Sequence, residues 1–117
     1  MQNKFALSLL AVIFTLGTAS AAEVRIQRVP GGGLQPQALT DARGALHLVY
    51  LQGDPKACDV IYSRREAGKA EFSAPLRVNS QPGSAIAIGT IRGAQFALGK
   101  GGRVHVEIGR ASCRERV

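Results

Sequence analysis

Tryptophan is absent from this chain, and only four Phe and two Tyr stand among its 117 residues. Proteins that grip single-stranded nucleic acid stack bases on aromatic rings set into a basic surface. Here the cations are scattered, with few rings between them, so nucleic acid is not an expected partner. Acidic residues are scarce too, 8 against 15 Lys and Arg, which gives a formal net charge of +7. The chain holds two His and two Cys. A metal site would need further ligands, and no motif calls for a cofactor. Helical periodicity is missing as well: from residue 22 to 106 no stretch of helix length spaces its apolar residues at 3.6.

The N-terminus carries a leader. Lys4 is followed by an uncharged apolar stretch from Phe5 to about Leu16, then by Ala19-Ser20-Ala21, the small-x-small pattern that signal peptidase accepts. Residues 1–21 are expected to be a signal peptide cleaved near Ala21. Its apolar core falls short of the ~20 residues needed to span a bilayer, and no cysteine follows for lipid attachment. The expected product is secreted or periplasmic, with no stable membrane anchor.

The C-terminal residues, EIGRASCRERV, have little structural logic of their own and resemble an in-frame translation of a common short-read sequencing adapter. On that reading residues 107–117 are a non-native tail, and native sequence is read only to Val106. Setting aside Lys4 and the tail leaves 11 cations against 6 anions, still basic. It also leaves Cys58 without Cys113, which a native tail would offer as a disulfide partner.

Between the two ends, short runs of β-branched and aliphatic residues are divided by Gly, Pro, Asn and Asp, which predicts an all-β fold. Strands are expected at Pro36–Thr40, Ala45–Gln52, Asp59–Glu66 and Phe72–Asn79, in meander order. In the second, Leu46, Leu48 and Tyr50 fall on one face, and His47, Val49 and Leu51 on the other. Both faces are largely apolar, so the sheet must be covered on both sides. The segment DARGALHLVY (Asp41–Tyr50) returns as GKGGRVHVEI (Gly99–Ile108) at an offset of 58 residues, aligning Gly44 with Gly102 and His47 with His105. This echo predicts a structural repeat, in which the two histidines share a packing role. GAQFALGKGG has the look of a phosphate-binding loop but the wrong spacing, and Gly101 stands where Ser or Thr must hold magnesium. It reads as a hairpin turn.

The span PQALTDARGALHLVYLQG…CDVIYSRREAGKAEFSAPLRVN (Pro36–Asn79) resembles the first blade of bacterial BNR-repeat, sialidase-like propellers, and Ile91–Val106 does so more loosely. The resemblance implies a six-bladed β-propeller, with a four-stranded blade over about 34–79 and a partial second blade over about 86–106. In that family the turn between the third and fourth strands is the Asp-box, Ser-x-Asp-x-Gly-x-Thr-Trp/Phe. This chain has Arg65 and Ala67 where the box has Ser and Asp, and keeps only Gly68 and Phe72. Sialidases of the family hold a substrate carboxylate with three arginines, whose planar forks suit it. Arg28, in RVP (Arg28–Pro30), is a displaced candidate for one of them. The general acid and the Tyr/Glu pair would lie partly beyond Val106. Three readings follow: a scaffold binding glycans or anionic envelope components without catalysis, an exo-sialidase-type glycoside hydrolase completed beyond Val106, or a protein-interaction propeller.

Overall fold

A computed structural model of the chain describes residues 21–88 and 93–108. Residues 1–20 and 109–117 lie outside that range, and with them the expected signal peptide up to Ser20 and most of the expected tail; the first two residues of that tail, Glu107 and Ile108, are described, Glu107 pairing with Gln95 and Ile108 packing against the core. The fold is all-β. A four-stranded antiparallel sheet takes β1 (Leu34–Thr40), β2 (Leu46–Asp54), β3 (Ala57–Arg65) and β4 (Leu76–Arg77) in chain order, and a two-stranded sheet joins β5 (Gln95–Leu98) to β6 (Val104–Glu107). Neither sheet closes on itself among the described residues.

The β2–β3 ladder is the backbone of the structure, unbroken from Leu46↔Arg65 to Asp54↔Ala57. Its composition explains this: LVYL (Leu48–Leu51) faces VIYS (Val60–Ser63) across the ladder, mostly aliphatic, β-branched and aromatic residues that fit a pleated, buried surface. As the alternation predicted, both faces are covered. One face buries Val49, Leu51, Cys58 and Val60 beneath Ala85, Ala94 and the second sheet's Phe96 and Val106. The other buries Leu48, Tyr50 and Ile61 beneath Val29 and Phe72.

β1 begins two residues before the predicted strand, and its register slips between Leu34 and Gln37. Pro36 sits in that slip, where its missing N–H costs no ladder bond. Gln35 beside it has φ +47. Its side chain ties β1 to the chain that leads into β5, donating to the Ala87 carbonyl at 3.3 Å and accepting the Gly93 amide.

The fourth strand differs from expectation. Phe72–Asn79 was predicted, but regular pairing covers only Ile61↔Arg77 and Tyr62↔Leu76. Pro75 interrupts the edge because it has no amide to give. Single bonds continue the association beyond it, from the Ser73 amide to the Arg64 carbonyl at 2.7 Å and from the Val78 amide to the Val60 carbonyl at 2.8 Å.

The repeat is present in the backbone. β1 ends at Thr40 and β5 at Leu98; β2 starts at Leu46 and β6 at Val104, an offset of 58 in both cases. The intervening turns match as well. The Asp41 amide bonds the Ala45 carbonyl at 3.0 Å, and the Gly99 amide bonds the Arg103 carbonyl at 2.7 Å. Gly44 and Gly102 take the same left-handed φ, +81 and +74. GAQFALGKGG is thus a hairpin, as its spacing indicated.

Candidate functional site

The end of the large sheet that carries the 41–45 and 66–69 turns concentrates its polar chemistry. Asp41 builds the first turn: its Oδ1 accepts the amides of Arg43 and Ala45, each at 2.9 Å. Its Oδ2 lies 3.1 Å from Nε2 of buried His47, whose Nδ1 lies 2.8 Å from the Tyr62 hydroxyl. The tautomer protonated on Nε2 satisfies both contacts, donating to the carboxylate and accepting from the phenol. The His47 hydrogen bond, followed by the Ala45 amide, holds the Asp41 carboxyl below its ordinary pKa. Burial pushes the Tyr62 phenol up. This network fixes the first rungs of the β2–β3 ladder, where His47 pairs with Arg64 and Leu46 with Arg65.

Neighbouring strand residues point to opposite faces, so Arg64 and Arg65 serve two different clefts. The first, of about 540 Å³, lies between the 41–45 turn and its repeat at 99–102; Asp41, Arg43, His47, Arg64 and Leu98 line it. Arg64 is paired there with Glu66, Nε to Oε1 at 3.0 Å, and approaches Asp41 Oδ2 at 4.0 Å. The second cleft, of about 770 Å³, lies on the other face, between the 66–70 turn and the extended N-terminal segment; Arg25, Gln27, Leu46, Arg65, Lys69 and Ala70 line it. No carboxylate stands in its wall.

Arg65 is held firmly in that second wall. Its guanidinium lies over the Phe72 ring, 5.5 Å from the centroid, and donates to Gln27 Oε1. Gln27 donates in turn to the Ala70 carbonyl at 3.4 Å. The turn beneath closes with the Lys69 amide on the Glu66 carbonyl at 3.1 Å, and Gly68 takes the required left-handed φ, +74. Arg65, Gly68 and Phe72, three of the four positions aligned to the Asp-box, therefore gather at one site. Ala67 stands apart on the exposed side, close to Gly44. Arg28 is exposed and lies in neither cleft wall.

The expectation of a shared packing role for the histidines is corrected. His47 is buried and hydrogen bonded, whereas His105 is exposed on β6. Two differences account for this: Asp41 in the first unit becomes Gly99 in the second, so His105 has no equivalent carboxylate, and β6 pairs only with β5 among the described residues, whereas β3 brings Tyr62 to His47. A Cβ at position 99 would stand 2.7 Å from the His105 ring. Sequence reasoning also missed Asp41, Tyr62, Arg25 and Lys69. The Asp41 signal was legible, a turn-forming Asp placed to accept amides two and four residues on; Arg25 and Lys69 are far apart in sequence and carried none.

Cys58 is buried, with its Sγ 3.3 Å from the Ala85 carbonyl, and has no disulfide partner among the described residues. No group of three or more His, Cys, Asp and Glu among those residues could hold a metal ion. No protein-family model matches the chain, and no curated protein or solved structure matches it.

Proposed function

We propose that this chain is a secreted, repeat-built β-scaffold of the sialidase-like propeller type, and that it binds acidic glycans through the cleft walled by Arg25, Arg65 and Lys69. The observation that carries the reading is the composition of that wall: three cations, of which Arg25 is paired with exposed Glu23 just outside it at 3.6 Å, and no carboxylate in the wall itself, beside the apolar surface of Leu46 and Ala70. A sugar acid presents the complementary pair, an anionic group and the C–H face of a ring. Arg65 suits a carboxylate or sulfate because its planar fork is pre-oriented by Phe72 and Gln27. The 58-residue repeat and the covering of both sheet faces support the propeller architecture. Export, with the leader removed near Ala21, would bring the site to glycans and envelope components.

The cleft is open to solvent, so each ionic contact contributes at most about 1 kcal/mol, and binding of a single sugar acid is expected at roughly millimolar Kd. Titration calorimetry of the full chain with glucuronate and with glucose, at low and high salt, tests the reading. Glucuronate should bind, weaken with salt, and weaken further in Lys69→Ala and Arg65→Lys. Equal binding of glucose, or no effect of either substitution, would overturn it.

A further inference from the structure

We infer that the cleft between the 41–45 turn and the 99–102 turn is a second anion subsite, and that the two clefts together take one extended acidic polysaccharide across the end of the sheet. The inference rests on the reading of the Arg25–Arg65–Lys69 cleft as an acidic-sugar site and extends it from a single sugar to a chain. The key juxtaposition is Arg64 beside Arg65. Being consecutive on β3, they emerge on opposite faces of one strand end, each in the wall of a different cleft. The clefts therefore lie on opposite faces of the same end of the sheet, at the Leu46–Arg65 and His47–Arg64 rungs.

The first cleft has its own means of holding an anion. Arg43 is exposed and makes no ion pair among the described residues; only its main-chain amide is engaged, by Asp41. Asp41 also lines the cleft, but both of its oxygens are occupied, by two amides and by His47. The opposite wall is a turn without side-chain cover: Gly101 and Gly102 both have left-handed φ, and a Cβ at either would meet nothing within 4 Å. That turn leaves the cleft open to a ligand held by the guanidinium groups opposite it. One wall thus offers guanidinium groups and the other bare backbone. The Asp41 carboxylate in the wall, together with Glu66 paired to Arg64, makes this cleft the weaker of the two, which suits a subsite that acts only once a neighbouring sugar is held.

A chain of sugar acids engaging both clefts gains from effective concentration, since its second contact is intramolecular. The test is a length series of oligogalacturonates, from one sugar to eight, titrated into the full chain. Affinity should rise by about a hundredfold between the monomer and the lengths that reach both clefts, and then level off. Arg43→Ala should lower octamer affinity about three- to fivefold and flatten the series. Lys56→Ala, which removes the same unit charge from the exposed loop at the opposite end of the sheet, should leave the series unchanged. Failure of galacturonate monomer to bind would refute the acidic-sugar site itself. A monomer that binds while affinity stays flat with length, or an octamer affected equally by Arg43→Ala and Lys56→Ala, would overturn only the second subsite. Vesicles of phosphatidylglycerol form a separate arm; Arg43-dependent binding to them without a length dependence in sugars would replace the polysaccharide with a lipid surface.

Discussion

Replacing Asn79 with Ala tests the reasoning about the fold most directly. Asn79 is buried and joins three segments: its Oδ1 accepts the Val60 amide at 2.9 Å, and its Nδ2 donates to Asp59 Oδ1 at 2.8 Å, to the Gln81 carbonyl at 2.7 Å and to Ser84 Oγ at 3.2 Å. Alanine removes every one of these contacts and leaves the Val60 amide without a partner beside a fully buried side chain. A stranded buried donor costs about 1–3 kcal/mol, and the lost bonds to half-exposed groups add ~1 kcal/mol. The expected loss is about 2–4 kcal/mol, large for a domain of this size and worth roughly 10 °C or more in Tm. Ser84→Ala, which removes one of three competing acceptors, should cost less than about 0.5 kcal/mol.

The pH dependence gives a second reading of the same variant. Hydrogen bonding from Asn79, followed by the Gly83 amide, holds the Asp59 carboxyl below its ordinary pKa. A depressed folded-state value means that the stability it contributes is present at neutral pH and is lost as pH falls through that value. The gap between wild type and Asn79→Ala should therefore narrow in acid without closing, because the Val60 amide stays unpaired at every pH. Urea unfolding of both chains, at neutral pH and in acid, measures this. A neutral-pH difference under about 0.5 kcal/mol would refute the account of the Asn79 network.

Asp41 follows the same sign: its depressed carboxyl contributes stability above the ordinary carboxylate pKa and loses it in acid, so Asp41→Asn should be destabilised at neutral pH and show a flatter acid-unfolding profile than wild type. Gly33→Ala would put a methyl carbon 2.2 Å from the Tyr50 ring and 2.7 Å from Val29; overpacking of this kind costs about 1–3 kcal/mol, read as a lowered urea midpoint. Cys58 is buried, and burial pushes its thiol pKa up, so a disulfide-exchange reagent should label it only after denaturant unfolds the chain; stoichiometric labelling of the native protein would contradict that burial.

Strand identity was legible because it is local. The apolar alternation of LHLVYLQ and the Gly and Asp punctuation specify β2, β3 and their connection within a few residues, and the echo at 58 residues named the second hairpin and its turn. The ends of strands were less legible, since they depend on what the neighbouring chain can donate: Pro75 shortens β4 only because β3 lies beside it, and the slip at Pro36 exists only against β2. The Asp41–His47–Tyr62 network shows the same limit. Its residues are 6 and 15 apart in sequence; Asp41 against Gly99 is a local difference between the two units, but that Tyr62 meets His47 from the neighbouring strand follows only from the β2–β3 pairing.

What the sequence determined by itself was the all-β class, the need to cover both faces of the central strands, and the repeat, because hydrophobic periodicity and turn chemistry are properties of contiguous residues. Only the tertiary structure decided which charges meet. Arg25 and Lys69 are 44 positions apart and share a cleft because the N-terminal segment lies against the 66–70 turn. Arg64 and Arg65 are adjacent and never share one, because the pleat sends successive side chains to opposite faces. Charge proximity follows the path of the folded chain, and a scattered set of cations in the sequence becomes two walled sites only after the strands have paired.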